Sequence, residues 1–386
     1  MRLRLLLFSF LAASLLAADK KVIVPGGGPP PIGPYSPGLM ADDYLYVAGQ
    51  GAAKADGTLP ATTEEQFTQS VANVKRIVEA AGLTMEHVVY SHVYLKDMAT
   101  LDTLNRVWGA AFPRNPPARA VVGVAGLPSG NPIQITVVAY RDLSKKQTVG
   151  SPGRTTLAGE PQGILTGDRL YLSGFPTLEA MGGVLKAAGL DFKNLVFVNP
   201  YITDKMPAGT MNTEYAKFFE FGNTPARATI HVASLPGSAA AMFTGVAVRD
   251  LSKRQAVRPK NMAPSPTASP CVWAGDTFYC SAKSGFIPGP NSGIYASTVE
   301  TQLRQTMRNL LDGLEEAGLT FANVVSTTVY LDDMADFAKM NGVYGEYFQS
   351  APPTRSTVQQ YPAGERKPNA RDRWPTLEQI SIIAVK

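Results

Sequence analysis

Three arginines stand in one recurring context: Asn115-Pro116-Pro117-Ala118-Arg119, Asn223-Thr224-Pro225-Ala226-Arg227 and Ala351-Pro352-Pro353-Thr354-Arg355. A guanidinium is permanently charged and presents a planar fork of donors that matches a carboxylate through two parallel hydrogen bonds. Arginines that open a strand behind a rigid, proline-containing lead-in therefore suit the gripping of small carboxylate metabolites. They equally suit ion pairs with a carboxylate of a neighbouring unit, and the residues alone leave both readings open. Each lead-in follows a helix-like run carrying an asparagine, at Asn105, Asn212 and Asn341, so each arginine occupies the same slot.

Other chemistry is poorly served. His87, His92 and His231 are the chain's histidines, and none has the spacing of a metal pair, so they are expected to be structural or surface residues. No Ser-His-Asp or Cys-His set can be assembled by motif, and Gly26-Gly27-Gly28 precedes prolines rather than a phosphate-cradling helix. No cofactor is implied. The net charge of +5 is mild, and Lys253-Arg254 with Arg258 and Lys260 reads as a solvated connector, so no nucleic-acid partner is expected.

The elements that must position the arginines also recur. Repetition at a fixed period governs how a long chain is read. In the first copy, Tyr44 to Val47 predicts a strand behind an Asp42-Asp43 turn. Phe67, Val71, Val74, Ile77 and Val78 mark one apolar face of a helix from about Glu64 to Ala81, stopped by Gly82. A strand over 88–95, a helix over 101–111 and strands over 120–124 and 133–139 follow. The third copy matches element for element: Leu303, Met307, Leu310 and Leu314 mark its first helix, and Val324 to Leu331 and Ile380 to Val385 its later strands. The second is abbreviated. Strand tyrosine to helix asparagine is 59 residues in copy one (Tyr46 to Asn105), 62 in copy three (Tyr279 to Asn341) and 41 in copy two (Tyr171 to Asn212), where only Leu178 to Leu190 remains of the first helix.

This order predicts an α+β fold in which each unit is a single sheet with two helices on one face. The expected units are residues 19–150, 151–258 and 259–386, joined by polar, proline-containing surface crossings at Ser144 to Pro152 and Ser252 to Pro266. Charged residues are 17% of the chain, below the roughly 25% usual for soluble domains, which predicts much surface buried between units. Residues 1–18 carry Arg2 and Arg4 and then an apolar run to Ala18 that reads as a secretory signal peptide, cleaved after Ala17 or Ala18. The mature chain is then expected to be exported, periplasmic or secreted, and not held in a membrane.

Pro31-Ile32-Gly33-Pro34-Tyr35-Ser36, Tyr46-Val47-Ala48-Gly49-Gln50, Val93-Tyr94-Leu95-Lys96-Asp97-Met98 and Pro117-Ala118-Arg119 resemble, in order and spacing, the landmarks of the RidA (YjgF/YER057c/UK114, endoribonuclease L-PSP) proteins. Val329-Tyr330-Leu331-Asp332-Asp333-Met334 and Pro353-Thr354-Arg355-Ser356 repeat them. The resemblance implies a chorismate-mutase-like fold that assembles as a trimer with ligand clefts between neighbours, hence an intramolecular pseudo-trimer, monomeric in solution. It implies hydrolysis of reactive imino or enamino acids to 2-oxo acids and ammonia, or else non-catalytic binding of such carboxylates. It implies carboxylate binding by Arg119, with Arg227 and Arg355 in matching slots, and a pocket shaped by Tyr35, Asn105 and Gly49. The family's water-holding glutamate is replaced by Gln134, Met242 and Gln379. Gln can hold a water but cannot take its proton. Glu378 is adjacent to that slot but on the opposite strand face.

Cys271 and Cys280 flank a Gly275-Asp276 turn. Counting outward from a two-residue turn sets them opposite each other as a non-hydrogen-bonded pair, with Cα atoms about 4.5 Å apart. An exported chain would oxidise such a pair; buried free thiols on adjacent strands are the alternative.

Overall fold

The computed structural model describes residues 20–150, 156, 159–260, 262–289 and 293–386. The expected signal segment lies outside the described residues.

The first unit runs β1 (Lys20–Ile23), β2 (Gly38–Ala41), β3 (Tyr44–Gln50), α1 (Thr63–Ala80), β4 (Val88–Leu95), α2 (Leu101–Ala111), β5 (Ala118–Gly123) and β6 (Ile133–Tyr140), with sheet order β1-β2-β3-β6-β4-β5. Only the β4 and β5 pair is parallel; the other pairs are antiparallel. The second runs β7 (Gln147–Val149), β8 (Gly163–Leu165), β9 (Arg169–Phe175), α3 (Leu178–Ala187), β10 (Leu195–Ile202), α4 (Ala208–Ala216), β11 (Ala226–Arg227), β12 (Ile230–His231) and β13 (Ala241–Val248). The third runs β14 (Arg254–Val257), β15 (Cys271–Ala274), β16 (Thr277–Ser284), α5 (Val299–Glu316), β17 (Val324–Leu331), α6 (Phe337–Tyr347), β18 (Thr354–Gln359) and β19 (Glu378–Val385), in the order of the first sheet.

The same local chemistry sets the first helix of every unit. Thr62, Thr177 and Thr298 cap α1, α3 and α5 by accepting from backbone N–H groups, and Glu65 completes a capping box on α1. Gly82, Gly189 and Gly318 then take φ of +77°, +72° and +71°, the left-handed conformation that ends a helix. As the shorter spacing predicts, α3 has 10 residues where α1 and α5 have 18.

Strand alternation builds two kinds of interior. In β3, Leu45 and Val47 join α1 and α2 in the unit's own core, whereas Tyr44 and Tyr46 point the other way. In β9, Leu170 and Leu172 face the helices and Tyr171 faces away; in β16, Phe278 and Cys280 do so against Tyr279. The outward-facing sides of all three sheets, Tyr46, Tyr171 and Tyr279 among them, belong to one apolar cluster. Each sheet is thus buried on both faces, which accounts for the scarcity of charge. His92 lies here, partly buried between the hydroxyls of Tyr90 (3.2 Å) and Tyr201 (3.0 Å), and burial pushes its ring down to about 3. His87 is half-buried, its Nδ1 accepting from Thr84 N–H, and His231 bonds Asp204 at 2.9 Å, a carboxylate partner that no sequence motif announced.

Two expectations about connections need correction. The segments expected as surface crossings contain strands, β7 and β14, and each pairs with the sheet that follows: β7 with β8, β14 with β15. Strands of three or four residues with weak alternation gave no periodic signal, yet a free sheet edge captures them. β1 was missed for the same reason. Among the described residues no helix is long and apolar enough to cross a membrane.

The cysteine register is as derived. Cys271 pairs with Cys280, Val272 with Tyr279, Trp273 with Phe278 and Ala274 with Thr277, and the two sulfurs are bonded across Cα atoms 4.0 Å apart.

Candidate functional site: three inter-unit clefts

Each arginine is the second residue of its strand and is held the same way. Arg119, Arg227 and Arg355 each donate from a guanidinium nitrogen to the side-chain oxygen of Asn105, Asn212 or Asn341, at 2.7 Å in every case. Each lies over an aromatic ring three residues beyond that asparagine: Trp108 at 4.9 Å, Tyr215 at 5.0 Å and Tyr344 at 4.8 Å. Residues three apart share a helix face, so asparagine and ring together form a bed for the guanidinium. The rings escaped the sequence reading, although their signal, an aromatic at +3 from each asparagine, was present three times.

The expected grouping of Arg119 with Tyr35, Gly49 and Gln134 does not hold. Arg119 and Asn105 do meet, but Tyr35, Gly49 and Gln134 line a different cleft, with Arg355. The segment before β2 in each unit reaches the arginine of another unit. Ser36 donates its N–H to Pro353 O at 3.1 Å, and Ser269 donates to Pro225 O at 3.1 Å, pinning these segments beside Arg355 and Arg227. Tyr35, Glu160 and Ala268 occupy equivalent positions in the three segments, and the clefts differ accordingly.

The Arg355 cleft is roomy, with a volume of about 800 Å³. Tyr35 lies 5.4 Å from the guanidinium carbon, and burial raises its hydroxyl pKa, partly offset by an Ile32 backbone hydrogen bond and the charge of Arg355. Gln134 crosses from β6 to donate to Thr357 O on β18 at 3.1 Å. That leaves Gln134 Oε1 and Thr357 Oγ1 buried with no hydrogen-bond partner. A Cβ on Gly49 would overlap the Gln134 side chain and push it from its place in the cleft. Arg355 is 4% exposed and has no carboxylate partner among the described residues. Burial lowers its pKa, which measures the cost of an uncompensated cation.

The Arg119 cleft is already filled. Glu160 Oε2 lies 3.5 Å from Arg119 Nη2, with the two side chains 2% and 3% exposed. Burial pushes the Glu160 carboxyl up to about 7 even though Arg119 pulls it down. Arg119 N–H donates to Ser173 at 2.9 Å, and next to Ser173 the bare face of Gly174 is covered by the sulfur of Met242. A carboxylate of this chain thus sits where a bound acid would sit.

The Arg227 cleft is smaller, about 330 Å³, and is lined by Thr229, Ala268, Ser281, Lys283 and Gln379. Arg227 N–H donates to Ser281 at 2.8 Å. Gln379 therefore belongs with Arg227 rather than with Arg355. Glu378, its neighbour on β19, points to the helices as alternation requires and accepts from Thr306. Among the described residues no group of three His, Cys, Asp or Glu could hold a metal ion.

A family model described as endoribonuclease L-PSP matches three times, over residues 27–141, 160–243 and 260–363. The chain belongs to this family. A RutC family protein of Saccharolobus solfataricus is 42% identical over 113 residues, 29% of this chain and 90% of that one. The 2-iminobutanoate/2-iminopropanoate deaminase of Bos taurus is 37% identical over 112 residues, 28% of this chain and 82% of the relative. Among solved structures, RidA from the Antarctic bacterium Psychrobacter sp. is 32% identical and covers 31% of this chain and 98% of its own, with a TM-score of 0.31. This member thus carries three endoribonuclease L-PSP units in one chain, with three clefts that no longer match one another.

Proposed function

We propose that the chain hydrolyses small imino and enamino acids to 2-oxo acids and ammonia at the Arg355 cleft, and that its three units act as a pseudo-trimer within one monomer. The supporting observation is a buried guanidinium, without a carboxylate partner among the described residues, on the wall of a cavity that also holds Tyr35 and the unpaired oxygens of Gln134 and Thr357. Arg355 takes the substrate carboxylate through paired, charge-assisted hydrogen bonds. Gln134 Oε1 and Thr357 Oγ1 hold a water for addition to the C=N carbon. Neither is a base, so the proton of the added water leaves on the departing ammonia, and positioning carries the rate. Relatives named as deaminases of 2-imino acids support this reading.

The test generates imino acids in place with an amino-acid oxidase and follows their decay. Arg355→Ala is expected to slow decay at least about a hundredfold, the worth of two charge-assisted hydrogen bonds. Decay no faster than buffer with the unmutated chain would refute the enzyme. Among the described residues no acid lines the cleft, which favours a second reading, binding of 2-oxo acids without turnover. It predicts calorimetric heat with 2-oxobutyrate that Arg355→Ala abolishes, beside unchanged imine decay.

The shared apolar cluster and the segments crossing between units support the pseudo-trimer. Light scattering is expected to return the mass of one chain; three times that mass would refute it. Export is part of the same proposal, supported by the oxidised Cys271–Cys280 pair. N-terminal sequencing of the protein from its host is expected to begin just after Ala17 or Ala18.

A further inference from the structure

The Arg227 cleft differs from the other two by a second cation. Where Gln50 and Phe175 follow Gly49 and Gly174, the third unit has Lys283 following Ala282. Lys283 lines the same cavity as Arg227 and is partly buried. Among the described residues its ammonium makes no hydrogen bond and no ion pair; Asp312 on α5 is the one carboxylate whose charge it feels. Burial holds its ammonium below the usual lysine range, so the free cleft bears the cost of that charge. Arg227 likewise has Asn212 and Tyr215 but, among the described residues, no carboxylate. Thr229 Oγ1, on the same wall, is buried without a hydrogen-bond partner. Ala268 leaves open the place that Tyr35 and Glu160 occupy elsewhere.

We infer that the Arg227 cleft binds a small dicarboxylic acid, one carboxylate on the Arg227 fork and the other on Lys283, with Thr229 donating to the ligand. The inference rests on the reading of these arginines as carboxylate grips. A monocarboxylate leaves Lys283 uncompensated, whereas a second carboxylate removes the cost of both buried charges, so the cleft discriminates by charge number. It gives the chain two ligand classes: monocarboxylates at Arg355, dicarboxylates at Arg227.

The experiment uses the full chain carrying Arg355→Ala, which isolates the Arg227 cleft, with calorimetry at low salt. Succinate and 2-oxoglutarate are expected to bind at least about tenfold more tightly than butyrate and 2-oxobutyrate, the worth of one charge-assisted contact. Adding Lys283→Met brings the dicarboxylates down to the monocarboxylate level, and Lys283→Arg keeps the preference. A melting temperature unchanged or raised in Lys283→Met shows that the variant is folded. Equal affinity for the two classes, no effect of Lys283→Met, or inorganic phosphate binding as tightly as the dicarboxylates overturns the inference. Silence from all four acids also overturns it, while heat from 2-oxobutyrate with the unmutated chain leaves the Arg355 reading standing.

Discussion

Single side chains decide which clefts are open. Glu160 is a built-in carboxylate on Arg119, and its removal tests that statement directly. In Glu160→Ala the guanidinium loses its buried ion partner, and breaking such a pair costs about 3–5 kcal/mol. The expected result is a lower melting temperature that millimolar acetate partly restores, together with one additional 2-oxobutyrate bound per chain. An unchanged stoichiometry would show that Met242 and its neighbours close the cleft without Glu160. Glu378 is a second buried acid, with burial pushing its carboxyl from the ordinary 4.5 up to about 8. Between those values the folded chain holds a proton that the unfolded chain has released, so stability falls as pH rises. The contribution is complete below about pH 4.5 and gone above about pH 8. The slope is at most about 1.4 kcal/mol per pH unit for one group. Glu160 acts with the same sign up to about 7. Melting temperature is therefore expected to drop between pH 5 and 8, and Glu378→Gln to flatten the drop. An identical pH profile in the variant would contradict the assignment.

At the level of elements, the edge strands and the segments after them carry most of the novelty. β1, β7 and β14 start each unit on a free sheet edge, and the chain then crosses to another unit's arginine before entering β2, β8 or β15. Periodicity finds α1, β4 and α2 in the first unit and β17 in the third within a residue or two because long amphipathic runs have only one way to bury an apolar face. It does not find three-residue strands, whose pairing is set by which edge is available. The hairpin β15–β16 lies between these cases: the turn residues fix the register, and the register brings Cys271 to Cys280. Thiol titration of the denatured, unreduced chain is expected to find no free thiol. Reduction is expected to lower the melting temperature, by about 2–3 kcal/mol of stability for so short a loop. The loss falls on the third unit, where Cys271 packs against α5 at Gly313.

For the whole molecule, a strand buried on both faces means that no unit owns all of its own interior. Residues 20–142 expressed alone are expected to self-associate through the exposed face of Tyr46 and Tyr90, which light scattering would detect as a multiple of the fragment mass. The sequence by itself determined the three copies, the fold of each, the register that sets Cys271 opposite Cys280 and the arginine slots with their asparagines. These follow from local spacing, turn chemistry and a repeated motif, all of which act within a few dozen residues. The tertiary structure alone decided which residues meet. Arg119, Tyr35 and Gln134 belong to one unit in the sequence but to two clefts in space, because each cleft is made by the arginine strand of one unit and the leading segment of another. For the same reason only the assembled chain tells an open arginine from one already holding Glu160, or sets Lys283 beside Arg227.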